Sequence, residues 1–336
     1  MTSPIDIAVI GATGTVGETL VQILEERNFP VGTLYLLASN ESAGSAVSFR
    51  GKNLRSRDVD DFDFAKVRLA FFAAGPAVTL SFAPRAQAAG CTVIDLSGAL
   101  PAEQAPAVVP EANPQVLDGL KVPATLHSPS AAAVALAVVL APLKNLLTFE
   151  RVAVTASLAV SAQGREAVSE LARQTAELLN ARPLEPRFFD RQMAFNLLAQ
   201  VGASDEQGHG ALERRLVREL RELLDLPLLK ISVTCVQVPV FFGDSYTVSL
   251  IASEAVDLPA VNAALESAES VELVEEGDYP TPVGDAVGQD VVYVGRVRAG
   301  IDEAQQLNLW LTTDNVRKGA GLNAVQLAEL LIKDFA

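Results

Sequence analysis

Ile5-Asp6-Ile7-Ala8-Val9-Ile10-Gly11-Ala12-Thr13-Gly14-Thr15-Val16-Gly17 decides how this chain folds. A short apolar run of strand length stops at a glycine. From Val16 to Glu26 the apolar residues then fall at helical spacing through Leu20, Ile23 and Leu24. Glycines between a strand and a helix permit a tight turn. They also let backbone N–H groups approach a pyrophosphate at the positive end of the helix. The spacing is GxxGxxG rather than the commoner GxGxxG. A strand-to-helix turn without a ligand is the plainer alternative, but the position after the first strand favours a dinucleotide. The expected contacts are Gly11, Thr13, Gly14, Thr15 and Val16.

Working outward, Thr33 to Leu37, Val67 to Ala73 and Cys91 to Leu96 are further apolar runs, and the alanine-rich Ala77 to Ala89 separates the last two. Buried runs alternating with helices imply parallel strands with crossover helices, a doubly wound α/β unit of Rossmann type. Ala131 to Leu146 reads as a buried helix. From Glu150 the pattern changes to longer strands, Val152 to Val160, Ile231 to Phe242, Tyr246 to Ala252 and Leu307 to Thr313. Helices at Glu166 to Leu179 and Leu212 to Leu224 lie between them, which suits an α+β unit with one covered sheet face. Ala181 to Asp190 reads as a loop and Asn315 to Ala336 as amphipathic. Internal repeats and low-complexity tracts are absent.

With 336 residues, 49% hydrophobic and 20% charged, the chain suits two domains or one large one, easily fills a sizeable core and excludes wholesale disorder. Its formal charge of -15 repels phosphate backbones and anionic lipids, so neither nucleic acid nor a membrane surface is an expected partner. Asp6 stands where a signal peptide would be basic, and the longest apolar stretch, Ala131 to Ala141, is eleven residues. A cytoplasmic protein is expected. Two cysteines and two histidines make neither a disulfide framework nor a typical zinc cluster, so no metal is expected.

Single residues with chemical potential have bland readings beside them. Cys91 and Cys235 sit in apolar strands and read as inert buried thiols. A Ser-His-Asp set can be written from Ser128 or Ser130, His127 and Asp244, but there is no nucleophile elbow around Ser130. His209, in Gln207-Gly208-His209-Gly210, reads as a loop residue. Glu213, Glu219 and Glu222 alternate with Arg215, Arg218 and Arg221 at helical spacing, most simply a solvated face.

Taken in order, several motifs resemble the aspartate-semialdehyde dehydrogenase family. They are Gly11 to Gly17, Leu37-Ala38-Ser39-Asn40-Glu41-Ser42-Ala43-Gly44, Val109-Pro110-Glu111-Ala112-Asn113, Val236-Gln237-Val238-Pro239-Val240, Tyr293-Val294-Gly295-Arg296 and Asp314-Asn315-Val316-Arg317-Lys318-Gly319-Ala320. The resemblance covers nearly the whole chain. It implies a dinucleotide-binding domain, 1–130, completed by a C-terminal helix, 315–336. It further implies a substrate-like and dimerisation domain, 131–314, and a homodimer. The family's reaction uses a cysteine thiolate that attacks the aldehyde, hydride transfer to NADP, and release by phosphate. A histidine moves protons, and arginines hold the carboxylate and phosphate.

The matched positions have lost that equipment. The nucleophile's place is Ala131, in Ser128-Pro129-Ser130-Ala131; the active-site glutamine's is Leu158; the substrate arginine's is Gln237; the histidine's is Asp244. The phosphate arginine falls near Leu100-Pro101, and a basic substrate-site residue survives as Arg215. The chain resembles a divergent, Usg-type member lacking the catalytic cysteine. In the family an arginine pairs with the 2′-phosphate of NADP, and here that position is Glu41, close to Ser39. A carboxylate there suits the ribose hydroxyls of NAD, so NAD or NADP is the expected cofactor, with NAD preferred. Three functions stay open: a binding protein with an emptied substrate site, an oxidoreductase on another substrate with Asp244 as acid or base, and a dead scaffold for another protein.

Overall fold

The computed structural model describes residues 3–335, with side chains as far as Lys333. Met1, Thr2 and Ala336, at the outer limits of the expected segments 1–130 and 315–336, lie outside the described residues. The chain divides into two compact units, Met1–Ser130 with Ala320–Ala336, and Ala131–Gly319. The second crossing therefore falls between Gly319 and Ala320.

In the first unit the elements run β1 (Ile5–Ile10), α1 (Thr15–Glu26), β2 (Val31–Ala38), β3 (Ala46–Phe49), β4 (Lys52–Arg55), β5 (Arg57–Asp58), β6 (Leu69–Phe72), α2 (Pro76–Ala88), β7 (Thr92–Asp95) and β8 (Thr125–His127). Six strands form one parallel sheet in the order β5-β2-β1-β6-β7-β8. Its faces are both apolar because alternate residues of each run point to opposite sides. Ile7, Val9 and Phe71 join Leu20 and Ile23 of α1, while Ala8, Ile10 and Phe72 join Ala83 and Ala86 of α2. The sheet order reverses between β1 and β6, so the crevice at their C-terminal ends is the switch point where ligands of such sheets bind. The β3–β4 hairpin has no expected counterpart. Arg50 (φ +49°) and Gly51 (φ +71°) form its two-residue turn.

The second unit begins with α3 (Ala131–Lys144), then β9 (Phe149–Leu158), α4 (Arg165–Leu179), α5 (Ala211–Leu223), β10 (Lys230–Gln237), β11 (Asp244–Ala252), α6 (Leu258–Glu266), β12 (Val271–Leu273), β13 (Val292–Ala299) and β14 (Gln306–Thr313). These strands make a mixed sheet, β10-β9-β11-β14-β13-β12, with β9 parallel to β10 and antiparallel to β11. Val152, Val154, Ala156 and Leu158 are buried and Thr155 is exposed, so one face is covered, as the alternation demands. Helix α3 is buried from Ala132 to Ala141. Two expected strand limits need correction. The run Ile231 to Phe242 stops at Gln237, since Pro239 has no N–H for a ladder. The run Val152 to Val160 starts at Phe149 and stops at Leu158, because Val160–Gln163 turns. The C-terminal segment carries the last helix, α7 (Asn323–Leu331), back to the first unit.

Candidate functional site

In the first unit the Gly-rich turn closes on itself. Gly11 has φ +81°, and a Cβ there would stand 2.5 Å from the Ala73 oxygen just after β6. A Cβ on Gly17 would stand 2.1 Å from the Gly11 oxygen. These two glycines are required by the turn itself. Gly11 and Ala12 donate N–H to the Leu37 carbonyl at 2.8 and 3.2 Å, which ties the turn to the end of β2. Gly14 is exposed, Thr13, Thr15 and Val16 are half-buried, and no side chain caps the start of α1. An uncapped helix start at a sheet switch point fits a pyrophosphate. Ser39 and Glu41 are exposed beyond β2, and among the described residues the Glu41 carboxylate has no hydrogen-bond or ion-pair partner. The backbone donors of this turn therefore fit the phosphates of a dinucleotide, and Glu41 offers an exposed acceptor in the same unit. Such a cofactor, when bound, supplies a hydride acceptor.

In the second unit parallel pairing sets Gln237 of β10 beside Leu158 of β9. Gln237 is only 1% exposed. Its Nε2 donates to the Leu158 carbonyl at 2.7 Å, and its Oε1 accepts from Gln163 Nε2 at 2.5 Å. Asp244, also 1% exposed, opens β11. One carboxylate oxygen accepts the Ala159 N–H at 2.8 Å and the other accepts the Tyr246 hydroxyl at 3.1 Å. Burial drives the Asp244 pKa up to about 7, against the opposing pull of those two hydrogen bonds, and the charge of Asp314 adds to the rise. Burial, and then the Asp244 charge, hold Tyr246 well above the usual phenol range. Asn315 accepts the Gly243 N–H at 3.0 Å and donates to Ser161 Oγ at 3.0 Å.

Leu158, Gln237 and Asp244 thus come together at the ends of β9, β10 and β11. Ala131 opens α3 and packs on Gly319, whose N–H donates to the Asp314 carbonyl at 3.0 Å. At Ala131 the side chain is a methyl, with no atom able to attack an electrophile. Gln163, Asn315, Ser161 and Tyr246 were not singled out as site residues from the sequence. Of these, Asn315 stands inside a motif quoted above, Asp314 to Ala320, which is the available signal.

The bland readings of the cysteines agree with the structure. Burial raises the Cys91 thiol to about 11, helped by Asp63, and the Cys235 thiol to about 12, helped by Glu213 and Asp244. His209 is exposed. Each member of the Ser-His-Asp set has partners within its own unit: His127 is buried with Nδ1 donating to the Asp95 carbonyl at 2.9 Å, Ser128 Oγ accepts from Asn323 at 2.8 Å, and Asp244 accepts from Ala159 and Tyr246. The solvated helix face is corrected. Glu219 shares the buried side of α5 with Leu216, Leu220 and Leu223, and it receives Arg215 Nε at 2.7 Å. Glu213 accepts the Gly210 and Cys235 N–H groups, both at 2.9 Å, and so caps the helix and the edge of β10. Arg218 alone of the three arginines is exposed. Leu100 occupies the expected phosphate position with its N–H on Asp95.

Among the described residues no group of three or more His, Cys, Asp or Glu could hold a metal ion, and no helix is long and apolar enough to cross a membrane. Residues 6–120 match the family model described as semialdehyde dehydrogenase, NAD binding domain, and residues 140–318 match its dimerisation domain. A protein of Azotobacter vinelandii named USG-1 protein homolog is 63% identical over 99% of both chains. A structure described as a probable aspartate-semialdehyde dehydrogenase from Pseudomonas aeruginosa is 57% identical, with TM-score 0.97 over 99% of this chain and 100% of that one. The Vibrio cholerae aspartate semialdehyde dehydrogenase II, complexed with ASA, is 39% identical, with TM-score 0.96 over 100% of both chains. The chain belongs to the semialdehyde dehydrogenase family.

Proposed function

We propose that this chain is a dimeric binding member of the family that does not oxidise aspartate semialdehyde. The observation that carries the proposal is Ala131 at the head of α3, where covalent catalysis needs a thiolate. Gln237 and Asp244 support it. The first is an uncharged amide already satisfied by Leu158 and Gln163, and the second is a carboxylate held by Ala159 and Tyr246. The Vibrio cholerae relative is described as complexed with ASA. Gln237 offers no positive charge to a carboxylate. The test is phosphate-dependent reduction of cofactor in the presence of aspartate semialdehyde. No turnover is expected, and a rate within a few hundredfold of an active family member would sink the reading.

The first unit is read as a nucleotide site that prefers NAD, from the uncapped turn at Gly14 and from Glu41, which has no partner among the described residues. The homodimer is supported by the match of residues 140–318 to a dimerisation domain. Sedimentation at micromolar concentration tests it, and a species of 35.5 kDa alone would refute it.

One observation favours a second reading, an oxidoreductase acting without a covalent intermediate. Asp244 titrates near neutrality, as a general acid or base should. Against it, both Asp244 oxygens are occupied and the residue is buried. A screen of alcohols and carbonyl compounds for cofactor turnover separates the two readings, with Asp244→Asn as the control.

A further inference from the structure

A cleft of about 670 Å³ opens in the second unit over Gln237, within the size range of small-molecule sites. Gln163, Gln200 and Gln237 are among the residues that line it. Phe188, Phe189 and Leu198 supply an apolar wall, the two phenylalanine rings meeting edge to face at 5.0 Å. The charged groups that line it, Asp190 and Arg191, neutralise each other across 2.9 Å. The cleft therefore offers amides and apolar surface without an unpaired charge.

The amide orientations are set by a chain of obligatory partners. The Leu158 carbonyl can only accept, so it fixes Gln237 with Nε2 toward it at 2.7 Å. Gln237 Oε1 is then the acceptor that draws Gln163 Nε2 to 2.5 Å. Gln163 is left with an Oε1 that accepts from no protein group among the described residues, and with a second N–H. Gln237 is fully buried, so this arrangement is held by the sheet rather than by solvent. One acceptor beside one donor matches a primary amide and opposes a carboxylate, which brings only acceptors.

We infer that this cleft binds an uncharged ligand that carries an amide next to an apolar or aromatic body. The inference rests on reading the second unit as a binding site rather than a reacting one. The probes are a matched pair, phenylacetamide and phenylacetate, titrated calorimetrically into the whole protein at neutral pH. The amide should bind about tenfold or more tightly than the carboxylate, the worth of a hydrogen bond against an unmatched acceptor. Gln163→Ala, at a half-buried turn position, should lower amide affinity to the level of the carboxylate. Gln237→Arg should reverse the preference. Equal or tighter binding of the carboxylate, binding of neither probe, or a preference unchanged in Gln163→Ala overturns the inference. Turnover of aspartate semialdehyde would sink the binding-protein reading itself. Lost amide preference without turnover sinks only this assignment.

Discussion

The Ala131 methyl is packed against Gly319 so closely that a Cβ on Gly319 would stand 2.6 Å from the Ala131 Cβ and 3.0 Å from its Cα. Position 131 is thus a packing contact between the head of α3 and the segment after β14. The contact leaves no room for a side chain at 319, and Gly319→Ala should destabilise the second unit by about 1–3 kcal/mol through overpacking. Denaturant unfolding checks this. A change below about 0.5 kcal/mol would mean that the two backbones part freely.

A thiol at position 131 should not by itself confer oxidation of aspartate semialdehyde. Ala131→Cys supplies a nucleophile, but Gln237 still lacks a cation for the substrate carboxylate and Asp244 still has both oxygens occupied. Groups that act as a unit fail together, so activity should stay roughly 10⁴-fold or more below an active family member. The check is phosphate-dependent cofactor reduction by the variant, followed at 340 nm.

Asp244 should make stability fall as pH rises. Its folded pKa, about 7, lies above the ordinary value of 3.8. Between these values the folded chain holds a proton that the unfolded chain releases. The stabilisation is fully present below about pH 4 and is lost as pH climbs through 7, with a total on the order of 4 kcal/mol at 1.36 kcal/mol per unit. Asp244→Asn keeps the acceptor for the Ala159 N–H and cannot titrate. Its unfolding free energy should be flatter between pH 4 and 7 than that of the unmodified protein, and equal slopes would contradict the assignment.

Glu41 should set cofactor choice. An exposed carboxylate beside a 2′-phosphate repels it, with the strength of a screened surface pair, while the ribose hydroxyls of NAD can donate to it. NAD should bind more tightly than NADP, and Glu41→Arg should shift the ratio by about tenfold toward NADP. Calorimetric titration with both cofactors decides it. Tighter binding of NADP by the unmodified chain would show that Glu41 does not face the ribose.

Gly11 offers a check on the first unit. Gly11→Ala combines a positive φ with a Cβ 2.5 Å from the Ala73 oxygen, so the turn must open or the sheet must shift. Stability should drop by at least about 1 kcal/mol and nucleotide affinity should drop with it. A variant with unchanged melting temperature and unchanged binding would refute the role given to this turn.

The doubly wound sheet was legible because its signals are local. The run Ile5–Ile10, the glycine at 11 and the stripe Leu20, Ile23 and Leu24 each report on a few adjacent residues. The buried α3 was legible for the same reason. The hairpin of β3 and β4 was not. Its strands are four residues each, too short for alternation to stand out, and its turn begins with Arg50 rather than asparagine or aspartate. The inward turn of Glu219 was also hidden, because charge spacing along α5 looks the same whether a carboxylate meets water or an arginine on the covered side.

For the site, the chain of letters was enough to name what stands at each place: alanine at 131, leucine at 158, glutamine at 237 and aspartate at 244. Side-chain identity limits chemistry wherever the residue lies, and a methyl is no nucleophile in any fold. What these residues do instead depended on the folded structure. Gln237 meets Leu158 across 79 residues of sequence, and Asp244 meets the Ala159 N–H across 85. Those partners follow from which strands pair and in what register. Burial, the cause of the raised Asp244 pKa, follows from what packs around β11. Such quantities belong to groups far apart in the chain, and only the closing of the sheet brings them within hydrogen-bond distance.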